Sequence, residues 1–191
     1  MRIKRRFRPL LLFATTLVVI AAAGTLTSAA PAEGGGNCVV QIDPVQPGQS
    51  SSHVSQPQCF ATFAEAIAAA TGGTVQLGPS VKPTQLTQAM LGDTPDTTTV
   101  IGVDYVNSYE GGNSLTWTST SGGCTSTQSF QASSMPSGWN DVVSSALSYQ
   151  NCNTYWHYEN TGFKGSQIDC GPRCDTMGVM NDQTSSEKWL R

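Results

Sequence analysis

Tyr158-Glu159-Asn160-Thr161-Gly162-Phe163-Lys164-Gly165-Ser166 is the stretch on which the reading of this chain turns. Two aromatic residues stand five positions apart, with a glycine two positions beyond the second. This spacing describes a folded β-hairpin whose aromatic rings pack over the turn. Gly165 supplies a backbone conformation that other residues resist. Downstream lies Asn181-Asp182-Gln183-Thr184-Ser185-Ser186, and it has a near copy in Asn140-Asp141-Val142-Val143-Ser144-Ser145. Four of the six positions are identical, and the copies begin 41 residues apart, at 140 and 181. Self-similarity at such a period marks a structural unit used twice.

The first hexapeptide is also preceded by a hairpin signal, but an uneven one. In Tyr105-Val106-Asn107-Ser108-Tyr109-Glu110-Gly111-Gly112 the second aromatic comes after four residues, while Gly112 keeps the spacing of seven from Tyr105. An altered hairpin is expected there, with a weaker site beside Val106.

Hairpin and hexapeptide together resemble the Greek-key motif of the βγ-crystallin family. The hexapeptides match the (Asn/Asp)-(Asn/Asp)-x-x-(Ser/Thr)-Ser motif of its microbial calcium-binding members. The resemblance covers about residues 100–191 and implies an all-β, two-Greek-key β-sandwich holding two Ca²⁺ ions at one end. It implies that the two motifs exchange ligands: Asp141 reaches the ion of the second hexapeptide and Asp182 that of the first. Ser144 and Ser185 would give hydroxyl oxygens. Val142, Gln183, Val106 and Glu159 would give backbone carbonyls, with water completing the six to eight oxygens that Ca²⁺ takes.

The donor chemistry stands without the resemblance, because hard cations prefer oxygen and both motifs are rich in it. One carboxylate and several neutral oxygens per ion point to affinity near the 10⁻⁴–10⁻³ M range of extracellular modules. Asn140 and Asn181 are expected to hold the turn backbone, and Ser145 and Ser186 to tie the loops to the neighbouring hairpins. The same residue types also populate ordinary turns. Two copies, each following a hairpin signal, favour metal over turn chemistry alone.

Targeting and charge are consistent with an exported protein. Arg2, Lys4, Arg5, Arg6 and Arg8 precede an apolar run from Leu10 to Gly24, then small residues around Ala29 and Ala30. This layout reads as a secretory signal peptide over residues 1–32. The apolar run is short for a membrane span, which needs about 20 residues. Beyond it remain five Lys and Arg against thirteen Asp and Glu, a net charge of −8. Such acidity argues against nucleic acid or an anionic membrane as partner.

All six cysteines lie in the exported part, and an even count there reads as three disulfides. Proximity favours Cys38–Cys59, Cys124–Cys152 and Cys170–Cys174, although six cysteines allow 15 pairings.

Residues 33–97 read as an N-terminal extension or pro-segment. Within it, 33–59 is Gly-, Pro- and Ser-rich and reads as a linker or loose arm. A short helix is expected near 62–71, begun by a Thr62/Glu65 capping box and stopped by Gly72-Gly73. A short strand is expected at Val75–Leu77. From residue 98 to 191, strands are predicted at Thr99–Tyr105, Ser114–Thr118, Ser129–Gln131, Ala146–Tyr149, Thr154–Tyr158 and Ser166–Asp169.

The chain carries no zinc helix, nucleophile elbow or nucleotide-binding loop, and so reads as a non-enzyme. Trp117, Trp139, Trp156 and Trp189 read as core anchors more readily than as a carbohydrate platform. His157 reads as a packed or surface residue. Two other readings remain: a proteinase inhibitor or killer-toxin-like protein presenting Arg173 on the Cys170–Cys174 loop, and a cell-wall glycan-binding module.

Overall fold

The computed structural model describes residues 36–78, 80–92 and 98–191. The signal-peptide reading of residues 1–32 lies outside them. Among the described residues ten strands form two sheets: β1 (Asn37–Gln41), β2 (Gln58–Phe60), β3 (Thr99–Asn107), β4 (Gly111–Ser119), β5 (Phe130–Ala132), β6 (Ser145–Ser148), β7 (Thr154–Asn160), β8 (Lys164–Asp169), β9 (Arg173–Cys174) and β10 (Ser186–Leu190). One sheet runs β2-β1-β4-β3-β6-β9 and the other β5-β10-β7-β8.

The order of these strands discloses a reciprocal exchange. Strands β3, β4 and β6 of the first motif share a sheet with β9, the third strand of the second motif. Strands β7, β8 and β10 share theirs with β5, the third strand of the first motif. Each motif thus lends one strand to its partner's sheet, as two interlocked Greek keys do. Between the sheets lies a core of Ile101, Leu115, Trp117, Phe130, Tyr155 and Trp189. Three of the four tryptophans are essentially inaccessible: Trp117, Trp139 and Trp189.

Residues 36–60 form strands and bonded turns, not a loose arm. Cys38, Val40 and Ile42 alternate inward and are almost fully buried. Strand β1 pairs parallel with β4 and antiparallel with β2. Cys38 and Cys59 stand directly opposite each other and are disulfide-bonded. The alternation is present in the sequence, but only two or three turns of pleat separate it from Gly, Pro and Ser. Its parallel partner lies more than seventy residues away.

Helix α1 (Phe63–Ala70) forms where the capping box predicts. Thr62 Oγ1 accepts from the Glu65 amide at 3.2 Å, and the Glu65 carboxylate accepts from the Thr62 amide at 2.9 Å. Its face of Phe63, Ile67 and Ala70 packs on Val100, Val103, Tyr105, Leu147 and Tyr149 from the outer side of the first sheet. This explains why β3 is buried on both faces from Thr99 to Tyr105. Val75 and Leu77 pack against that same cluster but form no strand, because no neighbouring strand offers them a ladder. A second short helix, α2, spans Gln88–Leu91.

The other two bridges are Cys124–Cys152 and Cys170–Cys174, so the pairing favoured by proximity is the one formed. Among the described residues no helix is long and apolar enough to cross a membrane.

Candidate calcium sites at the hairpin end

Both hairpins carry the same irregularity. The β3–β4 ladder shifts register between Tyr105 and Asn107, and the β7–β8 ladder between Tyr158 and Asn160. The residue inside each shift, Val106 or Glu159, is therefore released from regular pairing. The turn that follows needs a glycine: Gly165 has φ of 80°, and a Cβ there would stand 2.4 Å from Asn160 Nδ2. Gly112, at φ of 75°, is held the same way against Asn107 and Val106.

The hexapeptides lie against these hairpins. Ser145 Oγ donates to the Asn107 carbonyl at 2.7 Å and accepts from the Glu110 amide at 3.0 Å. Ser186 Oγ does the same with the Asn160 carbonyl at 2.7 Å and the Phe163 amide at 3.0 Å. The last serine of each hexapeptide thus stitches its loop to the hairpin of its own motif.

The preceding residues cross between motifs. Asp141 and Asp182 both sit at positive φ, 57° and 54°. The Asp141 amide donates to the Thr184 carbonyl, and the Asp182 amide to the Val143 carbonyl, both at 3.0 Å. This crossing carries the Asp182 carboxylate to Ser144, whose hydroxyl meets Asp182 Oδ1 at 2.9 Å and the Val106 carbonyl at 3.0 Å. Likewise Ser185 Oγ meets Asp141 Oδ1 at 3.1 Å. Asn140 and Asn181 do not hold the backbone. Each donates instead to the outer oxygen of the next residue's carboxylate, at 2.6 and 2.7 Å. The inner oxygen is left facing the serine of the other motif.

These distances suit a hard cation. Oxygens that are neighbours on one Ca²⁺ ion, bound at roughly 2.3–2.6 Å, stand about 3 Å apart. Ser144 Oγ has that spacing from both Asp182 Oδ1 and the Val106 carbonyl. Both serines are nearly buried and both aspartates are exposed, so each cradle opens to solvent on its carboxylate side. Val142 and Gln183 lie in the turn between Asp and Ser. The Glu159 side chain turns away, with its carboxylate accepting from the Ser166 amide at 2.9 Å. That bond holds the Glu159 carboxyl below the usual carboxylate range. The Val106 site, expected from sequence to be the weaker, is the one whose three oxygens are already gathered.

The uneven hairpin has a structural answer. Phe163 packs edge-on against Tyr158 with ring centroids 5.7 Å apart. The corresponding position of the first hairpin is Glu110, at φ of 55° against 63° for Phe163. Its side chain is buried, and Arg173 Nη2 meets it at 2.7 Å. Tyr109, the displaced aromatic, is 65% exposed. Arg173 also pairs with Asp175, whose carbonyl accepts from the Tyr109 amide. The Cys170–Cys174 loop is therefore docked on the hairpin, with its arginine engaged.

A second polar cluster escaped the sequence reading. Asp104, His157 and Glu187 are all fully buried between the sheets. Asp104 accepts from the Trp117 indole at 2.7 Å and the Tyr155 hydroxyl at 2.6 Å. Tyr155 Oη also lies 3.0 Å from Glu187 Oε2. Burial, reinforced by Glu187, raises the Asp104 carboxyl well above its usual range. Burial pushes Glu187 up to about 8 and His157 down to about 4.

The raised carboxyl favours the fold at low pH, and that contribution is lost as pH rises toward 8. The depressed histidine works oppositely, its contribution being lost as pH falls from 6.5 toward 4. The two effects oppose each other below pH 6.5, and above it only the carboxyl effect remains. Metal-free protein in a chelator is therefore expected to lose stability from pH 6.5 to 8, by about 1.4 kcal/mol per pH unit for each proton released. Calorimetric melting at both pH values checks this, and a melting point that rises with pH would contradict it.

No protein-family model and no curated protein matches the chain. Among solved structures, it is similar to a βγ-crystallin from an archaeon, at 18% identity and a TM-score of 0.36. It is also similar to a double mutant of a βγ-crystallin domain from Clostridium beijerinckii, at 21% identity and a TM-score of 0.36. Each likeness covers 48% of this chain and 98% of the other.

Proposed function

We propose that this is a secreted, non-enzymatic calcium-binding protein of the βγ-crystallin type, in which two Ca²⁺ ions stabilise the folded state. The observation that carries this reading is the exchange of carboxylates, Asp182 to Ser144 and Asp141 to Ser185. Each ion would take one aspartate oxygen and one serine hydroxyl, supplemented by the carbonyls of Val142 and Val106 or of Gln183 and Glu159. The residues at each site come from two motifs, so an ion binds only when the motifs are docked. Folding and calcium binding are linked for that reason. Three disulfides support an oxidising, extracellular destination. Calorimetric titration of the oxidised chain with Ca²⁺ tests the reading. Heat from two ions per chain is expected, and a titration without binding heat refutes it.

A further inference from the structure

The buried cluster is short of positive charge. Two carboxylates, Asp104 on β3 and Glu187 on β10, meet His157 on β7 with none of the three exposed to solvent. The donors that reach them from neighbouring strands, the Trp117 indole and the Tyr155 hydroxyl, are both neutral. The Tyr155 hydroxyl has a single hydrogen but lies within bonding distance of both carboxylates. As a donor it can satisfy only one. His157 Nδ1 stands 3.0 Å from Glu187 Oε1, but neither atom has a hydrogen-bonding partner, and His157 Nε2 has none either. Such buried, unpartnered atoms are rare in folded proteins and call for an explanation.

We propose that Asp104, His157 and Glu187 form a buried site for one divalent transition ion of the zinc class, distinct from the calcium sites. One ligand atom from each residue can be chosen so that all lie within 4.8 Å of one another. Ligand atoms on a tetrahedral zinc-class ion stand about 3.3–3.6 Å apart, so a pair as wide as 4.8 Å would draw together by roughly 1.3–1.5 Å, shared between two side chains. A dication cancels the charge of two carboxylates, and neutral imidazole is the ligating form of histidine. The Trp117 and Tyr155 bonds to Asp104 then act as orienting contacts behind a ligand, as bonds to metal-bound carboxylates do. Calcium suits this site poorly, since it takes six to eight oxygens and this cluster offers few. The ion joins β3 of one sheet to β7 and β10 of the other. It enters as the chain folds, since all three ligands are inaccessible to solvent in the folded core.

The test is refolding of the full, disulfide-intact chain from denaturant in either EDTA or a slight excess of Zn²⁺, followed by desalting and elemental analysis. About one zinc per chain is expected after refolding in Zn²⁺, retained against EDTA, with a higher melting point than the EDTA-refolded protein. Refolding in Co²⁺ is expected to give the visible absorption of a low-symmetry, nitrogen- and oxygen-ligated cobalt. The isosteric pair Asp104→Asn with Glu187→Gln is expected to retain no zinc while keeping its calcium titration. Wild-type protein that carries no zinc after desalting overturns the proposal. So does a variant that holds as much zinc as wild type. If the double variant fails to fold, the wild-type metal content and cobalt spectrum decide the question alone.

Discussion

Replacing Asp141 and Asp182 together by alanine is expected to remove the whole calcium-dependent part of the melting temperature. If each site binds with a dissociation constant of about 10⁻⁴ M, roughly 10 mM Ca²⁺ stabilises the fold by about 2.7 kcal/mol per site. Two sites give about 5 kcal/mol, or a rise of roughly 10–20 °C for a domain of this size. The single variants should divide this unequally. Asp182 serves the cradle where Ser144 and the Val106 carbonyl already stand together. A preorganised site spends less of its binding energy on ordering its ligands. Asp182→Ala should therefore abolish the tighter of the two binding events, and Asp141→Ala the weaker. Titration and scanning calorimetry on the three variants check this. A double variant that still melts higher in calcium would show that the ions bind elsewhere.

Arg173→Met is expected to destabilise the protein by about 1–2 kcal/mol, because it strands the buried Glu110 carboxylate without its half-exposed partner. Adding Glu110→Phe should restore most of that loss. The paired position in the second hairpin is Phe163, which occupies the same region of positive φ and packs on Tyr158. The first hairpin can thus accept an aromatic ring over Tyr105, and replacing a buried charge and its half-exposed partner with packed apolar groups removes the desolvation cost of that charge. Chemical denaturation of the two single variants and the double variant closes the cycle. If the double variant is no more stable than Arg173→Met, the two hairpins are not interchangeable at this position.

Most of the sandwich was legible because its strands alternate and its turns are marked by glycine and proline. Six strands between Thr99 and Asp169 were visible on those grounds. What stayed hidden has specific causes. Strand β1 finds its parallel partner in residues far along the chain, so no local turn signal announces it. Strand β10, Ser186–Leu190, carries Glu187 and Lys188 and does not look like an inner strand. Strand β9 is two residues inside a disulfide loop that reads as a turn. The exchanged aspartates were legible only through the resemblance, since no spacing within one hexapeptide says which motif its carboxylate will serve. The buried cluster leaves a trace in the sequence. Asp104 precedes Tyr105 as His157 precedes Tyr158, so both repeats place a titratable residue at one equivalent inward position.

The N-terminal strands also decide what the molecule shows to its own copies. Strand β4 is nine residues long, and without β1 and β2 it would form the rim of its sheet with its amide and carbonyl groups unpaired. Long open rims recruit other chains into continuous sheets. With the extension in place, that sheet ends in strands of three and two residues, β2 and β9. The other sheet ends in β5, also three residues, and in β8, which apart from Ile168 is polar or glycine and largely exposed. Residues 36–60 thus act as a built-in terminator of sheet growth.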